Sequence, residues 1–154
     1  MIQKNESVIS KEMIFLDLNL KDKDSIIEFI SDKAFHNNLI EDKNRFIQAV
    51  CDREEQVSTA IGYSIAIPHG KSSVVEKPFI SVLRLANEII WSDQNEELVS
   101  LVFLIGVPEE NENNIHLKFI SELSKKLLDD SFREKLLTEK NMDMIFKQLQ
   151  SINI

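Results

Sequence analysis

The sequence contains few residues that interrupt or cross-link a chain. Its 154 residues include three glycines, three prolines and one cysteine. Because no glycine- or proline-rich stretch, low-complexity tract or internal repeat marks a linker, we predict a single domain over residues 1–154, with its core at about 10–150. The lone Cys51 excludes an internal disulfide and is typical of a reducing compartment. We interpret Cys51 as a small buried apolar residue.

Long apolar runs and an excess of basic residues are also missing. No run approaches the roughly 18 apolar residues that span a bilayer, and residues 1–6 lack the apolar stretch of a signal peptide. We therefore expect a cytoplasmic protein without direct membrane insertion. The 18 Lys and Arg residues against 26 Asp and Glu residues give a net charge of 18 − 26 = −8, with no basic stripe. Nucleic acid is thus a poor partner, whereas a protein that presents basic or apolar residues is a suitable one.

Apolar patterns alternate between strand and helix along the chain, which predicts an α/β fold with a mixed β-sheet flanked by helices. Near-continuous apolar runs at 79–85 and 99–105 are typical of strands covered on both faces, and the second should be central and end at residues 106–108. Another strand is predicted at 13–18, and a short hairpin or two strand pieces within 57–69. Helices are predicted from a capping box of Ser25 and Glu28, over 42–51, around His116, and at 132–137 and 142–149.

Histidine is the side chain best suited to reversible chemistry near neutral pH, because its ordinary pKa is about 6.5. The chain has three. His36 lies where the first helix should end, and helix capping or solvent exposure accounts for it. We assign no function to His36.

His69 stands in the sequence AIPHG at 66–70, at the end of a predicted strand. Pro68 restricts the approach of the chain and Gly70 removes bulk on the far side, so the ring should be exposed but held. Taken alone, the pattern favours a turn histidine that only closes the strand. A phosphate-binding P-loop ending at Gly70-Lys71-Ser72 is excluded, because its first glycine would fall at Ile65.

Two further residues are candidates that the local pattern leaves open. His116 lies in the first turn of its predicted helix, on the face of Ile120 and Leu123, and is compatible either with a core histidine or with a site where the helix N-terminus attracts a phosphate. Arg53 leaves the second predicted helix toward residue 57, and a solvated surface arginine is its simplest interpretation.

The sequence around these residues resembles the fructose/mannitol-type IIA domain (EIIA type 2) of the phosphoenolpyruvate-dependent sugar phosphotransferase system. The resemblance covers about residues 15–149, and the Ile-Pro-His-Gly block within it is specific. It rests on five motifs in order: RE at 53–54, STAIG at 58–62, IAIPHGK at 65–71, LVFLIGVP at 101–108 and HL at 116–117. Ala60 stands where many members have glycine, a small change of which we expect little consequence.

The resemblance implies that the protein is a phosphotransferase component that works through a phosphohistidine. It assigns the phosphorylated residue to His69, the second active-site histidine to His116, and the active-site arginine, sixteen residues earlier at 69 − 53 = 16, to Arg53. The implied donor is phospho-HPr and the implied acceptor a IIB domain or subunit, with the membrane IIC permease downstream in sugar uptake of the fructose type. No cofactor or metal is expected. The alternative is a regulatory nitrogen-type IIA protein that binds targets according to its phosphorylation state.

Overall fold

A computed structural model describes residues 8–92, 96–110 and 114–152 of the chain. Its strands are β1 (Ile9–Leu18), β2 (Ala60–Gly62), β3 (Ile65–Ala66), β4 (His69–Ser72), β5 (Phe79–Ser92) and β6 (Glu97–Pro108). Its helices are α1 (Lys23–His36), α2 (Lys43–Gln56), α3 (Ile115–Lys126), α4 (Asp130–Thr138) and α5 (Met142–Gln150). None of these helices has the length and apolar character that crossing a membrane requires.

The strands form one mixed sheet in the order β1-β5-β6-β3-β2, with β4 also paired to β6. Strand β6 is antiparallel to β5 and parallel to both β3 and β4, while β1 is parallel to β5. The predicted α/β class with a mixed sheet is confirmed, as are the central position of β6 and the hairpin, which is formed by β2 and β3. That residues 1–154 make one domain stays a prediction.

Helices cover the two faces of the sheet, and a separate apolar cluster fills each interface. On one face α1 and α2 contribute Ile26, Ile30, Phe46 and Val50, which meet alternate residues of β5 and β6. On the other face α3, α4 and α5 pack against the intervening residues, among them Phe103 and Ile105. Strand β6 is therefore buried on both faces, as its apolar run predicted. Cys51 is only partly buried beside the first cluster, so its predicted full burial is wrong.

Several predicted boundaries are corrected by contacts that lie far apart in the sequence. Strand β6 extends beyond the predicted run at 99–105 and includes residues 106–108, which were expected to end it, because β4 provides it with a parallel partner as far as Pro108. Strand β5 continues past residue 85 to Ser92 after a register shift, where its apolar run stops but its pairing with β6 resumes. Helix α2 continues to Gln56, so Arg53 lies within its last turn instead of leaving it.

The predicted cap of the first helix is also wrong. Asp22, and not Ser25, is the N-cap of α1, and its carboxylate accepts a hydrogen bond from the Ser25 backbone N–H at 2.8 Å. The Ser25 hydroxyl donates back to the Asp22 carbonyl at 3.0 Å. Aspartate three residues before serine thus satisfies the free amide at the helix start, and Ser25 takes the N3 position that the prediction gave to Glu28.

A buried arginine, paired with a partly exposed aspartate, joins three elements of the second face. Arg84 of β5 is 3% exposed and donates two hydrogen bonds to the Asp17 carboxylate of β1, at 2.9 and 3.2 Å. Its Nη1 donates a third to the carbonyl of Leu136 in α4, at 3.0 Å. This hydrogen bonding is the main cause that lowers the pKa of Asp17 below its ordinary value. The two-pronged contact joins β5 to β1, and the third hydrogen bond attaches α4 to the sheet.

We expect Arg84→Met to lower the free energy of unfolding by about 2 to 3 kcal/mol. Removing one partner of a buried pair costs about 3 to 5 kcal/mol, and the loss is smaller here because Asp17 can regain water. Urea unfolding at pH 7 measures this change in the free energy of unfolding. Lys11→Ala is the control, because the Lys11–Asp143 pair is exposed and contributes about 1 kcal/mol at most. The difference between parent and Arg84→Met should shrink as pH falls through the lowered pKa of Asp17. Equal stability of parent and Arg84→Met at pH 7 would show that the ion pair is dispensable.

Candidate functional site

Strand β4 carries His69 as its first residue, directly after the chain leaves β3. Residues 65 and 66 pair with β6 residues 101 and 102, and His69 pairs with Ile105, so β3 and β4 follow one edge of β6 with a gap at Ile67 and Pro68. Pro68 has no amide hydrogen to donate, which interrupts the ladder, although its carbonyl still accepts from Ile105 N at 3.0 Å. His69 therefore begins a new short strand. The prediction that it ends the preceding strand is wrong.

Gly70 determines which way the His69 ring faces. A Cβ atom at Gly70 would lie 2.7 Å from Val50 Cγ2 and 3.2 Å from the Val50 backbone nitrogen, so the glycine allows α2 to approach the strand closely. Because adjacent strand residues point to opposite faces, His69 faces away from that contact, toward the layer of α3. The predicted role of Gly70, removal of bulk behind the histidine, agrees with this packing.

The fold brings His69 and His116 together although 116 − 69 = 47 residues separate them. Their ring centroids are 5.6 Å apart with an interplanar angle of 40°. His116 lies in the first turn of α3, as predicted, and both side chains are half-buried. Asn114, which precedes the helix, makes no side-chain capping hydrogen bond to it. His36 lies apart from this pair, at the end of α1, where its Nδ1 is 2.8 Å from the Asp32 carbonyl.

The His69 ring has a defined hydrogen-bond partner, the carbonyl of Ile67, which is 3.2 Å from Nδ1. A carbonyl oxygen only accepts, so Nδ1 carries the hydrogen and Nε2 carries the lone pair. Burial lowers the pKa of His69 below its ordinary value, with the charge of Arg53 acting in the same direction. The Ile67 carbonyl and the charge of Glu54 act in the opposite direction. Burial is also the main cause that lowers the pKa of His116, followed by the charges of His69 and Lys71.

Arg53 lies near His69, in the last turn of α2. Its Nη1 donates a hydrogen bond of 3.0 Å to the carbonyl of Val57, just beyond the end of that helix. Its positive charge is one of the causes that lower the pKa of His69, after burial. All three residues predicted for the site therefore belong to one region, formed by the end of α2, the start of β4 and the start of α3.

Sequence reasoning missed one residue of this region. Glu54 follows Arg53 and is 6% exposed, unlike its exposed neighbour Glu55. The sequence indicated Glu54 only as part of the motif RE at 53–54, and nothing in that motif predicts that the glutamate is buried. Within the described ranges, no group of three or more His, Cys, Asp or Glu residues has an arrangement that could hold a metal ion.

Comparison with known proteins agrees with this geometry. The chain is 35% identical over 131 residues to the fructose-specific EIIABC component of Mycoplasma pneumoniae, of whose length it spans only about a fifth (19%), with 84% of this chain covered. It is 33% identical to the fructose-specific EIIA component of Haloferax volcanii, with 82% of this chain and 81% of that protein covered.

Two solved structures share the fold. The nitrogen regulatory protein IIA-Ntr of Neisseria meningitidis has a TM-score of 0.83 and 25% identity, over 92% of this chain and 96% of that one. The IIA mannitol component of Escherichia coli, solved in complex with phosphorylated IIB, has a TM-score of 0.77 and 25% identity, over 91% and 95% of the two chains. The sequence profile of one family matches residues 7–152. As the resemblance implied, the chain belongs to that family, the EIIA 2 domains of the phosphoenolpyruvate-dependent sugar phosphotransferase system.

Proposed function

We propose that this chain is a phosphocarrier of the fructose type, which accepts a phosphoryl group from phospho-HPr on His69 and donates it to a IIB domain or subunit. The observation that carries the proposal is the pair of half-buried imidazoles, His69 and His116, with ring centroids 5.6 Å apart beside Arg53. A IIC permease in the membrane would use the phosphoryl group downstream. The protein would act in the cytoplasm, where HPr and the IIB component meet it.

The nucleophile in this mechanism is the Nε2 atom of His69. The hydrogen bond to the Ile67 carbonyl keeps the proton on Nδ1, so the Nε2 lone pair is available for attack on phosphorus. The new Nε2–P bond forms as the P–N bond of phospho-HPr breaks, and the released HPr imidazole keeps the electron pair of the broken bond. Because burial disfavours the imidazolium form, the neutral ring that this step needs predominates at neutral pH.

Charge on the transferred group requires positive or hydrogen-bonding partners, since phosphoryl transfer depends on positioning and electrostatic stabilisation. Arg53 supplies a guanidinium, a group suited to binding phosphoryl oxygens through two N–H donors. His116 supplies a second ring, at the start of α3, where backbone N–H groups and the helix dipole favour an anion. We assign both residues to stabilisation of the phosphoryl oxygens.

Exposed apolar side chains flank the two supporting residues, which supports contact with protein partners. Val57, whose carbonyl binds Arg53, is 65% exposed, and Leu117, adjacent to His116, is 56% exposed. Large exposed apolar side chains next to a reactive group are typical of transient protein interfaces. The relative of known structure in complex with phosphorylated IIB is a IIA component, and a IIB acceptor here is consistent with that similarity.

A regulatory role is the second candidate, and the similarity to a nitrogen regulatory IIA protein favours it. Both roles would use the same phosphohistidine, so the fate of the phosphoryl group separates them. Transfer from the phosphorylated protein to a IIB component, followed by sugar phosphorylation, supports transport. Retention of the phosphoryl group in the presence of IIB, with a target protein bound only to one phosphorylation state, supports regulation.

We expect His69→Ala to abolish phosphorylation by phosphoenolpyruvate, enzyme I and HPr. The free energy of unfolding should change by about 1 kcal/mol or less, because the ring is half-buried and its described hydrogen bond is a single one to the backbone. The parent should carry an Nε2 phosphoramidate, labile in acid and stable in base, with a 31P shift distinct from that of the Nδ1 isomer. His36→Ala is the control and should be phosphorylated like the parent. One phosphoryl group on His69→Ala, or an Nδ1 product in the parent, would contradict the assignment.

Replacement of either supporting residue should slow transfer without unfolding the protein. Loss of one charge-stabilising contact raises a barrier by about 2 to 4 kcal/mol, which is roughly 30-fold to 1,000-fold in rate. Rapid-quench measurement with phospho-HPr should show this for Arg53→Ala and His116→Ala. Arg45→Ala, an exposed position on the same helix as Arg53, should retain the parental rate. Rates within twofold of the parent for both site variants would remove these residues from the mechanism.

Titration by NMR should place both site histidines below the ordinary pKa of about 6.5. Burial is the main cause for both rings. Below that pH the folded protein binds fewer protons on these rings than the unfolded chain does, so the free energy of unfolding should fall with decreasing pH. Arg53→Gln should raise the pKa of His69, because it removes a positive charge that lowers it. A midpoint for His69 at or above about 6.5 in the parent would contradict the predicted neutral nucleophile.

A further inference from the structure

Glu54 is a buried carboxylate that the proposed transfer mechanism does not use. It lies one residue after Arg53, in the last turn of α2, and is 6% exposed, whereas Asp52, two residues earlier, and the adjacent Glu55 are exposed. A buried carboxylate without compensating partners would be costly, and glutamate is among the residues least often buried. The position of Glu54 therefore calls for a physical reason.

Three hydrogen bonds hold the carboxylate. Its Oε2 accepts from the Thr59 backbone N–H at 2.9 Å and from the Trp91 indole Nε1 at 2.8 Å. Its Oε1 accepts from the Thr59 hydroxyl at 2.7 Å. Both oxygens are thus occupied, and all three donors are neutral groups. The contacts stabilise the carboxylate without cancelling its negative charge.

Thr59 connects this carboxylate to the His69 ring. Its carbonyl accepts a hydrogen bond of 3.0 Å from Ile67 N, and the Ile67 carbonyl is the group that accepts from His69 Nδ1 at 3.2 Å. The path from Glu54 to the imidazole consequently contains two residues and no exposed side chain. A shift of Thr59 would move the carbonyl that selects the His69 tautomer.

The same segment also holds Arg53. The Val57 carbonyl, which accepts from Arg53 Nη1 at 3.0 Å, lies two residues before Thr59. Glu54 anchors the Thr59 end of this segment and is itself adjacent to Arg53 in the helix. The side chains of His69 and Arg53 are therefore both attached to a segment that Glu54 fixes.

The charge of Glu54 also acts at the nucleophile. Burial and the charge of Arg53 lower the pKa of His69, and Glu54 opposes them, in the same direction as the Ile67 hydrogen bond. Glu54 thus acts on the ring through two routes, its charge and its hydrogen-bonded path through Thr59 and Ile67. Attachment of α2 to β5 alone would require neither route.

We infer that Glu54 is a positioning residue for phosphoryl transfer, which acts through Thr59 and Ile67 to hold His69 in its Nδ1–H tautomer and through the segment 57–59 to hold Arg53 beside it. The inference rests on the proposed role of His69 as the phosphorylated residue. Glu54 does not contact the phosphoryl group in this account. It orients the groups that do.

Glu54→Gln tests the inference, with Glu55→Gln as a matched control that makes the same charge change at the adjacent exposed position. The amide nitrogen of glutamine cannot accept, so in place of Oε2 it would face two N–H donors, and in place of Oε1 it would reverse the hydrogen bond with the Thr59 hydroxyl. We expect 15N NMR of the unphosphorylated variant to show less Nδ1–H tautomer at His69 and a lower His69 pKa. Single-turnover transfer from saturating phospho-HPr should be at least tenfold slower. Glu55→Gln should match the parent in all three readouts.

Thr59→Val provides a second variant, which keeps the carboxylate and the backbone N–H but removes the hydroxyl donor. It should change the His69 tautomer in the same direction as Glu54→Gln and should also slow phosphoryl transfer, but both effects should be smaller. If Glu54→Gln does not fold, Thr59→Val decides whether the inference holds. The inference would be overturned if a folded Glu54→Gln had the tautomer, the His69 pKa and the transfer rate of the parent. It would also be overturned if Glu54→Gln were less stable than the parent but kept the parental tautomer and rate. If the parent accepts no phosphoryl group, the proposed function fails, and the tautomer in unphosphorylated Glu54→Gln still decides whether Glu54 positions His69.

Discussion

The pairing of β4 with β6 is the constraint on which the site depends. Strand β6 is buried on both faces, and a shift of its register by one residue would turn its apolar residues to the wrong cluster. Its register is therefore fixed by the core. Because His69 pairs with Ile105, the core also fixes the position of the histidine along the sheet. A partly exposed residue thus derives its placement from residues that are almost fully buried.

Burial and hydrogen bonding act on different properties of the His69 ring. Burial lowers its pKa, which keeps the ring neutral, while the Ile67 carbonyl determines which nitrogen has the proton. The carbonyl also raises the pKa, so burial and the hydrogen bond have opposite effects on the pKa of His69. Together they nevertheless present an Nε2 atom without a proton, because burial favours the neutral ring and the carbonyl holds its proton on Nδ1. The charge of Arg53 further disfavours a proton on the ring, and the same charge would become favourable once the proposed phosphoryl group was attached. A site built in this way suits a histidine that must be both an acceptor and a donor.

The sequence alone allowed prediction of the features that depend on local pattern. The apolar run at 99–105 identified the central strand, and AIPHG at 66–70 indicated a held histidine followed by a glycine that removes bulk on the far side, where α2 packs. Boundaries failed where long-range pairing prevailed: β6 continues through Gly106 because β4 lies beside it, and no local signal could indicate that partner. The capping aspartate was missed because Ser25 and Glu28 also have capping-box spacing, and only the backbone shows that Asp22 precedes the first helical turn. The assembly of the site from Arg53, His69 and His116 came from the family resemblance, since periodicity does not bring residues 47 positions apart into contact.

Glu54 illustrates a kind of residue that pattern analysis treats as surface. In the sequence it follows an arginine and precedes another glutamate, and four consecutive charged residues at 52–55 favour a solvated helix face. Its burial results from three donors that lie outside the helix. They are the backbone N–H and hydroxyl of Thr59 and the indole N–H of Trp91 on β5, which is 37 residues away. Each donor is itself buried, so removal of the carboxylate would leave three donors without their acceptor. The carboxylate and its donors are therefore mutually required, and this requirement attaches the end of α2, which contains Arg53, to β5 and to the segment that leads into β2.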